Sequence, residues 1–251
     1  MEEEKMQFLY GIHPVMEAVK AGRKFDKVLL KQGMEGQQFR ELYGLLAEND
    51  IPYQFVPLDR LNRAVRGAHQ GVVAYISQID YVELEDMVNT ALSVSEAPIL
   101  VILDGVSDVR NLGAISRTLE CVGGQGIIVP AKGGAAINAE AVKASAGALM
   151  RIDTCKVPNL RYAAYYLKQS GFKIVAATEK VDNYIYDIDL TGPIAIVMGS
   201  EGKGISQTML DLADAKAAIP MAGEIGSLNV SIASAVVLYE AVRQRRATAN
   251  K

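Results

Sequence analysis

The sequence predicts an α/β protein of two units, the second organised on a parallel sheet. Three observations predict it. Strand-like runs alternate with helical patterns along most of the chain, the order in which α/β units are strung. In the second half, runs such as ILVILDGV (Ile99–Val106) and IAIVM (Ile194–Met198) are continuously apolar, as buried strands of parallel sheets are. Two such runs, Ile194–Met198 and Ala215–Pro220, each end in a glycine-rich loop followed by a helical pattern. Open α/β sheets bind ligands beyond the carboxyl ends of their strands, where such loops lie.

Taken in order, residues 1–5 read as a frayed, charged terminus. FLYGIHPVMEAVKAG supplies a short strand, a turn at Gly11, and a helix with Pro14 in its first turn and Gly22 just past its end. KVLLK (Lys27–Lys31) is a strand, and FRELYGLLAEND an amphipathic helix with Phe39, Leu42, Leu45 and Leu46 on one face. PYQFVP is a strand, LDRLNRAV a short helix, and HQGVVAYIS a loop leading into a strand. These elements make a small α/β unit over residues 1–80. Residues 81–98 hold one helix and a polar, proline-terminated stretch, and read as a linker. The second unit, 99–251, continues from Ile99–Val106 through helix Asn111–Cys121, strand Gly126–Val129, helix Ala139–Ala148 and strand Ile152–Val157. Helix Leu160–Gln169, strand Lys173–Ala177 and an Asp-rich loop at 182–189 lead to the two glycine-loop strands. A last helix runs from about Val230 to Arg246, and its basic tail, RQRRATANK, suits the negative end of the dipole before fraying.

Half of the 251 residues are hydrophobic and 22% are charged, the balance of a globular protein with an ample core. A net charge of −3 argues against nucleic-acid binding by bulk charge and leaves room for local basic surfaces. Lys20, Arg23, Lys24, Lys27 and Lys31 cluster in the first unit, and Arg60, Arg63 and Arg66 recur at three-residue spacing, read as one helix face. Such runs are either solvated faces or phosphate contacts. Cys121 and Cys155, far apart and each in an apolar context, read as buried free thiols in a reducing compartment. MEEEKMQ is acidic where a signal peptide is basic and then apolar, and no apolar run has the length of a bilayer span. The expectation is a cytoplasmic protein with no membrane partner and no metal.

Three loops of the second unit carry candidate chemistry. In SDVRNLGAISRTLECVG, Asn111 lies near a helix start, and Arg117 lies among Leu112, Ala114, Ile115 and Leu119. An arginine there has a ligand or partner, or sits on a polar face with Ser116 and Glu120. Gly199-Ser-Glu-Gly-Lys-Gly204 permits close backbone approach to a ligand. It fails the phosphate-loop spacing, and Gly204 stands where Ser or Thr is required. Glu201 taken alone reads as an ordinary solvated turn acid. In IPMAGEIGSLNVSIASA, Ser227 and Asn229 suit helix capping, and SLNVS also suits gripping an uncharged planar ligand. The histidines, His13 and His69, both lie in the first unit, so neither is an obvious general base for these loops; His69 with Gln70 reads as an RNA contact or as a turn-former.

NLGAISRT, MGSEGKGIS and IPMAGEIGSLNVSIASA, in this order, resemble the three motifs of the SpoU (TrmH) branch of the SPOUT RNA 2′-O-ribose methyltransferases. YGIHPVMEAV and HQGVVA resemble the substrate-binding domain of the RlmB branch, which acts on 23S ribosomal RNA. The resemblance implies a SPOUT domain with a parallel sheet and a deep trefoil knot, plus a small N-terminal α/β RNA-binding domain. It implies S-adenosylmethionine as cofactor, contacted by Gly199, Ile219 and Leu228, with Met221 and Thr178 as further candidates. Arg117 would be the catalytic arginine, with Asn111, Glu201, Ser227 and Asn229 completing the site. The implied partners are RNA, 23S rRNA in particular, and a second copy of the chain, since the family's knotted domains pair. The implied reaction is 2′-O-methylation of a guanosine in 23S rRNA. The same reaction on tRNA or another rRNA nucleotide, and a non-catalytic RNA-binding protein of this fold, are the alternatives.

Overall fold

A computed structural model describes residues 8–249. The charged terminus expected at residues 1–5, and the last two residues of the basic tail, lie outside the described residues. The chain separates into two compact units. One ends at Asp80 and also takes in Ile137–Ala139; the other is Tyr81–Ala136 and the residues from Glu140 onward.

The first unit contains β1 (Phe8–Tyr10), α1 (Ile12–Lys20), β2 (Phe25–Lys31), α2 (Gln37–Glu48), β3 (Tyr53–Val56), α3 (Leu58–Ala64) and β4 (Val72–Ile76). Its sheet runs β1-β4-β2-β3, antiparallel except for the parallel β2–β3 pair. Alternation along β2 buries both faces. Val28 and Leu30 pack with Val15, Met16 and Val19 of α1 and Leu42 and Leu46 of α2, while Leu29 packs with Val56, Leu61 and Val65. Two expectations change here. The α3 helix stops at Ala64 and Val65 is extended, so Arg66 leaves the face shared by Arg60 and Arg63. His69 is buried in the turn before β4. Its Nδ1 accepts from the Gly71 N–H at 3.0 Å, which leaves the Nε2 proton for Asn62 Oδ1 at 2.9 Å. Gln70 Oε1 accepts from the Ile12 N–H. Both side chains are committed to the turn.

The second unit contains α4 (Leu84–Val94), β5 (Ile99–Asp104), α5 (Val109–Cys121), β6 (Gly126–Pro130), α6 (Ala139–Ala144), β7 (Asp153–Val157), α7 (Leu160–Gln169), β8 (Lys173–Ala177), β9 (Ile194–Gly199), α8 (Gln207–Leu212), β10 (Ala215–Ala217) and α9 (Val230–Ala249). All its strand pairs are parallel, in the order β10-β8-β9-β5-β6-β7. One face carries α4, α7 and α8 over Leu100, Ile102, Ile174 and Val197. The alternate residues, Val101, Leu103, Ile196 and Met198, are buried on the opposite face, where α5 and α9 pack together. The chain leaves β5 toward β6 and β7, then crosses to β8 and comes back to β9 at the other side of β5. That reversal sets the carboxyl ends of β5 and β9 side by side, Asp104 opposite Gly199.

Four details differ from expectation. Residues 81–98 are not a free linker: Leu84, Met87, Val88 and Ala91, one stripe of α4, belong to the second unit's core. The helix expected over Ala139–Ala148 ends at Ala144, because Ala146 and Gly147 take left-handed φ of 51° and 86°. The strand expected over Ala215–Pro220 is regular only over Ala215–Ala217, after which Ala218 makes a single parallel bridge to Tyr184. The last helix runs past Arg246 to Ala249, held where Arg245 donates to the carbonyls of Leu190 and Gly192 and Gln244 donates to that of Ile188.

The two cysteines also part company. Cys155 is buried in β7, and burial, with the charge of Glu83 adding, pushes its thiol up to about 12. Cys121 is exposed. A thiolate-seeking disulfide reagent at about pH 8 should therefore titrate one thiol per native chain and the second only after denaturation. Equal labelling rates for both in the native protein would show that the core around β7 is open.

Candidate functional site

Three loops converge at the carboxyl ends of β5, β9 and β10, and each is held by its own local chemistry. After β5, the Asp108 carboxylate caps α5, accepting the N–H groups of Arg110 at 2.7 Å and Asn111 at 3.4 Å. The side-chain and backbone hydrogen bonds from Arg110 hold that carboxyl below the usual carboxylate range. The cap places Asn111 in the first turn of α5, at the rim of the sheet.

After β9 the chain folds back on itself. Ser200 and Gly204 exchange backbone hydrogen bonds of 3.1 and 2.9 Å, a return that needs Gly202 and Gly204 at φ of 86° and 70°. A Cβ at Gly199 would run into the backbone of Gly204 and Ile205. Asp104, at the end of β5, accepts the Ser206 N–H at 2.7 Å and fastens the far end of the loop. Glu201 is left at its tip.

After β10, residues 218–229 lead to α9. Asn229 Oδ1 caps this helix, accepting the Ser231 N–H at 3.0 Å, the Ser231 hydroxyl at 2.6 Å and the Ile232 N–H at 3.4 Å. With the oxygen committed, the amide nitrogen must point the other way. It donates to Glu201 Oε1 at 2.7 Å and to Asn111 Oδ1 at 3.1 Å, and Asn111 Nδ2 donates to the same Glu201 oxygen at 3.0 Å. Three residues from three loops thus close a triangle. Glu201 Oε2 keeps no hydrogen-bond partner among the described residues, and is free to accept from a ligand.

Two cavities adjoin the triangle. A cleft of about 400 Å³ is lined by the 199–204 loop, Met198, Ile205, Glu179, Ser227, Leu228 and Asn229. A slot of about 70 Å³ lies against Thr178, Ala217, Ile219, Met221, Gly226 and Leu228. They share Ala177, Glu179, Ser227, Leu228 and Ala233, so the two adjoin at Leu228. The cleft has the size of a small-ligand site.

The structure therefore brings Asn111, Glu201 and Asn229 into contact and sets Ser227, Gly199 and Leu228 in the adjoining cleft. Thr178, Ile219 and Met221 line the slot. It does not bring in Arg117. Six residues beyond Asn111, a helix turns the side chain about 120° away and about 9 Å along. Arg117 is exposed, forms no hydrogen bond or ion pair among the described residues, and lines a separate cleft of about 230 Å³ with Glu120, Cys121, Ser145, Ala146, Ala148 and Arg151. Ser116, a candidate companion on a polar face, is buried and donates to the Leu112 carbonyl instead. Sequence reasoning missed Asp104 and Glu179. Both stand at or just past the carboxyl end of a buried strand, and that position was the available signal. Among the described residues no group of three or more His, Cys, Asp or Glu is placed to hold a metal, and no helix is long and apolar enough to cross a membrane.

The SpoU rRNA Methylase family model matches residues 98–239, and the model for RNA 2′-O ribose methyltransferase substrate binding matches residues 8–82. A putative TrmH family tRNA/rRNA methyltransferase, YacO of Bacillus subtilis, is 33% identical over 242 residues, 96% of this chain and 97% of that one. The SpoU methyltransferase AviRb of Streptomyces viridochromogenes, solved with the cofactor AdoMet, superposes with a TM-score of 0.61 at 27% identity, over 96% of this chain and 90% of that one. An AdoMet-bound rRNA methyltransferase of Sinorhizobium meliloti gives a TM-score of 0.60 at 26% identity, over 94% and 86%.

The double commitment of Asn229 makes a stability prediction. Asn229→Ala removes the α9 cap and two of the triangle's hydrogen bonds, and should destabilise the protein by about 1–2 kcal/mol in urea unfolding. Asn111→Ala leaves every helix capped and should cost less than about 1 kcal/mol. Equal losses would mean that the cap contributes nothing.

Proposed function

We infer the activity of this chain from its family: it belongs to the SpoU rRNA methylase family. The proposed reaction is methyl transfer from S-adenosylmethionine to a ribose 2′-hydroxyl, that of a guanosine in 23S ribosomal RNA. One observation carries it: the two cavities that adjoin at Leu228 open beside the Asn111–Glu201–Asn229 triangle. The slot of Ile219, Met221, Leu228 and Thr178 offers apolar side chains against which a flat purine would pack. The wider cleft, floored by the backbone of Gly199 and its loop, fits the ribose and the charged amino-acid end. The missing Cβ at Gly199 makes room for the backbone of Gly204 and Ile205, which holds the loop folded back as the floor of the cleft.

Bound there, the cofactor supplies an electrophilic sulfonium methyl. The protein's part is to position a hydroxyl that is a poor nucleophile. Glu201, oriented by both asparagines, offers Oε2 to an O–H or N–H of the target nucleoside, and Ser227 stands beside it in the cleft. Arg117 is assigned to the phosphate next to that ribose, where a guanidinium grips two oxygens at once. It holds its proton too firmly to act as a base, so its contribution is positioning and charge stabilisation.

Because Arg117 stands apart from the triangle in one chain, the proposal includes a homodimer in which Arg117 of the partner subunit completes the site. The exposed face of α9 supports pairing: Ile232 and Tyr239 are 54% and 55% exposed, with half-buried Val236 between them. The trefoil knot belongs to the same proposal. Its support is the path of the chain, which runs out to β10 at the sheet edge and returns through α9 onto α5. The first unit would bind the RNA, with exposed Arg60 and Arg63 available to phosphates. A cytoplasmic location completes the reading.

Titration calorimetry should show one S-adenosylmethionine bound per chain, and absence of binding would sink the cofactor assignment. Arg117→Ala should lower kcat by at least about 10²-fold with cofactor affinity nearly unchanged, and retained activity would refute its role. Ribose-methylation mapping of total RNA from a deletion strain should lose one guanosine mark in 23S rRNA. Loss of a tRNA mark alone would reject the rRNA address.

A further inference from the structure

The cleft that holds Arg117 has a second guanidinium on its rim, Arg151, which no motif singles out. Its walls are rigid. On one side Arg117, Glu120 and Cys121 lie three and four residues apart on α5 and share a face. On the other is the turn 145–148, where Ala146 is held at φ 51° although it is not glycine. Ser145 is fully buried, donating to the Val142 carbonyl at 2.8 Å and accepting the Leu149 N–H at 3.3 Å. The two walls are pressed together at Gly113, where a Cβ would come within 2.8 Å of the Ala141 carbonyl and the Ser145 nitrogen. The N–H groups of residues 146–148 are spent inside the turn, on Lys143, Val142 and Ser145. Side chains are therefore what the cleft offers to a ligand.

Those side chains are unevenly charged. Arg117 has no ion pair among the described residues. Arg151 has one, to Glu120 at 3.6 Å, between side chains that are 75% and 35% exposed. An exposed pair at that distance contributes little and gives way to a better anion. Two guanidiniums against one carboxylate leave a net positive cleft of about 230 Å³, open to solvent and large enough for a phosphodiester. Two planar forks are the donor set such a group takes.

We propose that this cleft is a two-arginine clamp for a single RNA phosphodiester, with Arg151 a binding residue beside Arg117 and Glu120 its placeholder. In the free protein Glu120 neutralises Arg151. When RNA enters, its phosphate displaces that carboxylate and spans both guanidiniums, which fixes the strand next to the target ribose. The inference rests on the reading of this chain as an RNA methyltransferase.

Fluorescence anisotropy with a labelled 23S rRNA oligonucleotide spanning the guanosine that the deletion-strain mapping identifies tests it directly, since it reads RNA affinity whether or not methyl transfer occurs. Arg151→Ala should weaken binding about tenfold and reduce the slope of log affinity against log salt by about 0.7–0.9, one phosphate contact. Arg151→Lys should recover part of the loss. Glu120→Gln should act in the opposite direction and tighten binding two- to threefold, because it removes the competitor. In methylation assays Arg151→Ala should raise KM for RNA far more than it lowers kcat. Affinity of Arg151→Ala within twofold of the unsubstituted protein, or weaker binding by Glu120→Gln, as a pair that only braces the turn would give, overturns the clamp. RNA binding that follows these signs without any methyl transfer would sustain the clamp and sink the methyltransferase reading.

Discussion

The site depends on a place where no side chain fits. At Gly199 the backbone of Gly204 and Ile205 occupies the volume a Cβ would need, because the loop after β9 turns straight back and pairs Ser200 with Gly204. That fold-back keeps the loop flat against the end of the sheet and pushes Glu201 toward β5. Asp104 then ties down the returning strand end. With a longer or looser loop, Glu201 would be a solvated acid in a turn. With this one, it lies within hydrogen-bonding distance of residues 90 and 28 positions away in sequence.

Asn229 converts that geometry into a defined electrostatic arrangement. An amide has one oxygen and one nitrogen, and the α9 cap claims the oxygen. Its nitrogen then has one direction left, toward Glu201 and Asn111. Capping and site-building are one role here, because the helix end fixes the rotamer that the site requires. The carboxylate it faces accepts twice on Oε1, which orients Oε2 outward with no reorganisation left for a ligand to induce.

The buried parallel strands are legible in the sequence, since a short, continuous apolar run bounded by turn residues suits a strand covered on both faces, and β8 and α7 have the expected ends. Helix α6 reads too long because the alanines of AEAVKASAGA carry the helical pattern past Ser145; the left-handed turn at Ala146 and Gly147 ends it, and Gly147 is the stop signal that was available. Residues 81–98 mislead for a different reason. Leu84, Met87, Val88 and Ala91 show the spacing of a core-facing stripe, and the polar stretch after them masks it. Cys121 is likewise decidable: four residues after Arg117, it has to share that exposed face. The members of the site come from three ordered motifs, because singly each residue is an ordinary cap or turn acid. Nothing in local sequence states that Asn111, Glu201 and Asn229 touch.

The position of Arg117 then has a physical sense of its own. A guanidinium within the triangle would pair with Glu201 and cancel the charge that the two asparagines orient, for an arginine cannot shed its proton to avoid the pairing. Placing it a third of a turn around α5 keeps the carboxylate and the arginine of one chain apart. The same separation leaves Arg117 in a cleft whose remaining carboxylate, Glu120, faces Arg151. The second unit thus holds two charged centres beside one helix, Glu201 against the N-terminal turn of α5 and the guanidiniums of Arg117 and Arg151 near its C-terminal end. On the proposed reading, a ribose and its phosphate present the two complementary groups, a hydroxyl to donate and an anion to be gripped. Within one chain, about 9 Å of α5 and a third of a turn separate the two, too far for adjacent groups of one nucleotide, and for that reason the proposed site takes its arginine from the partner subunit.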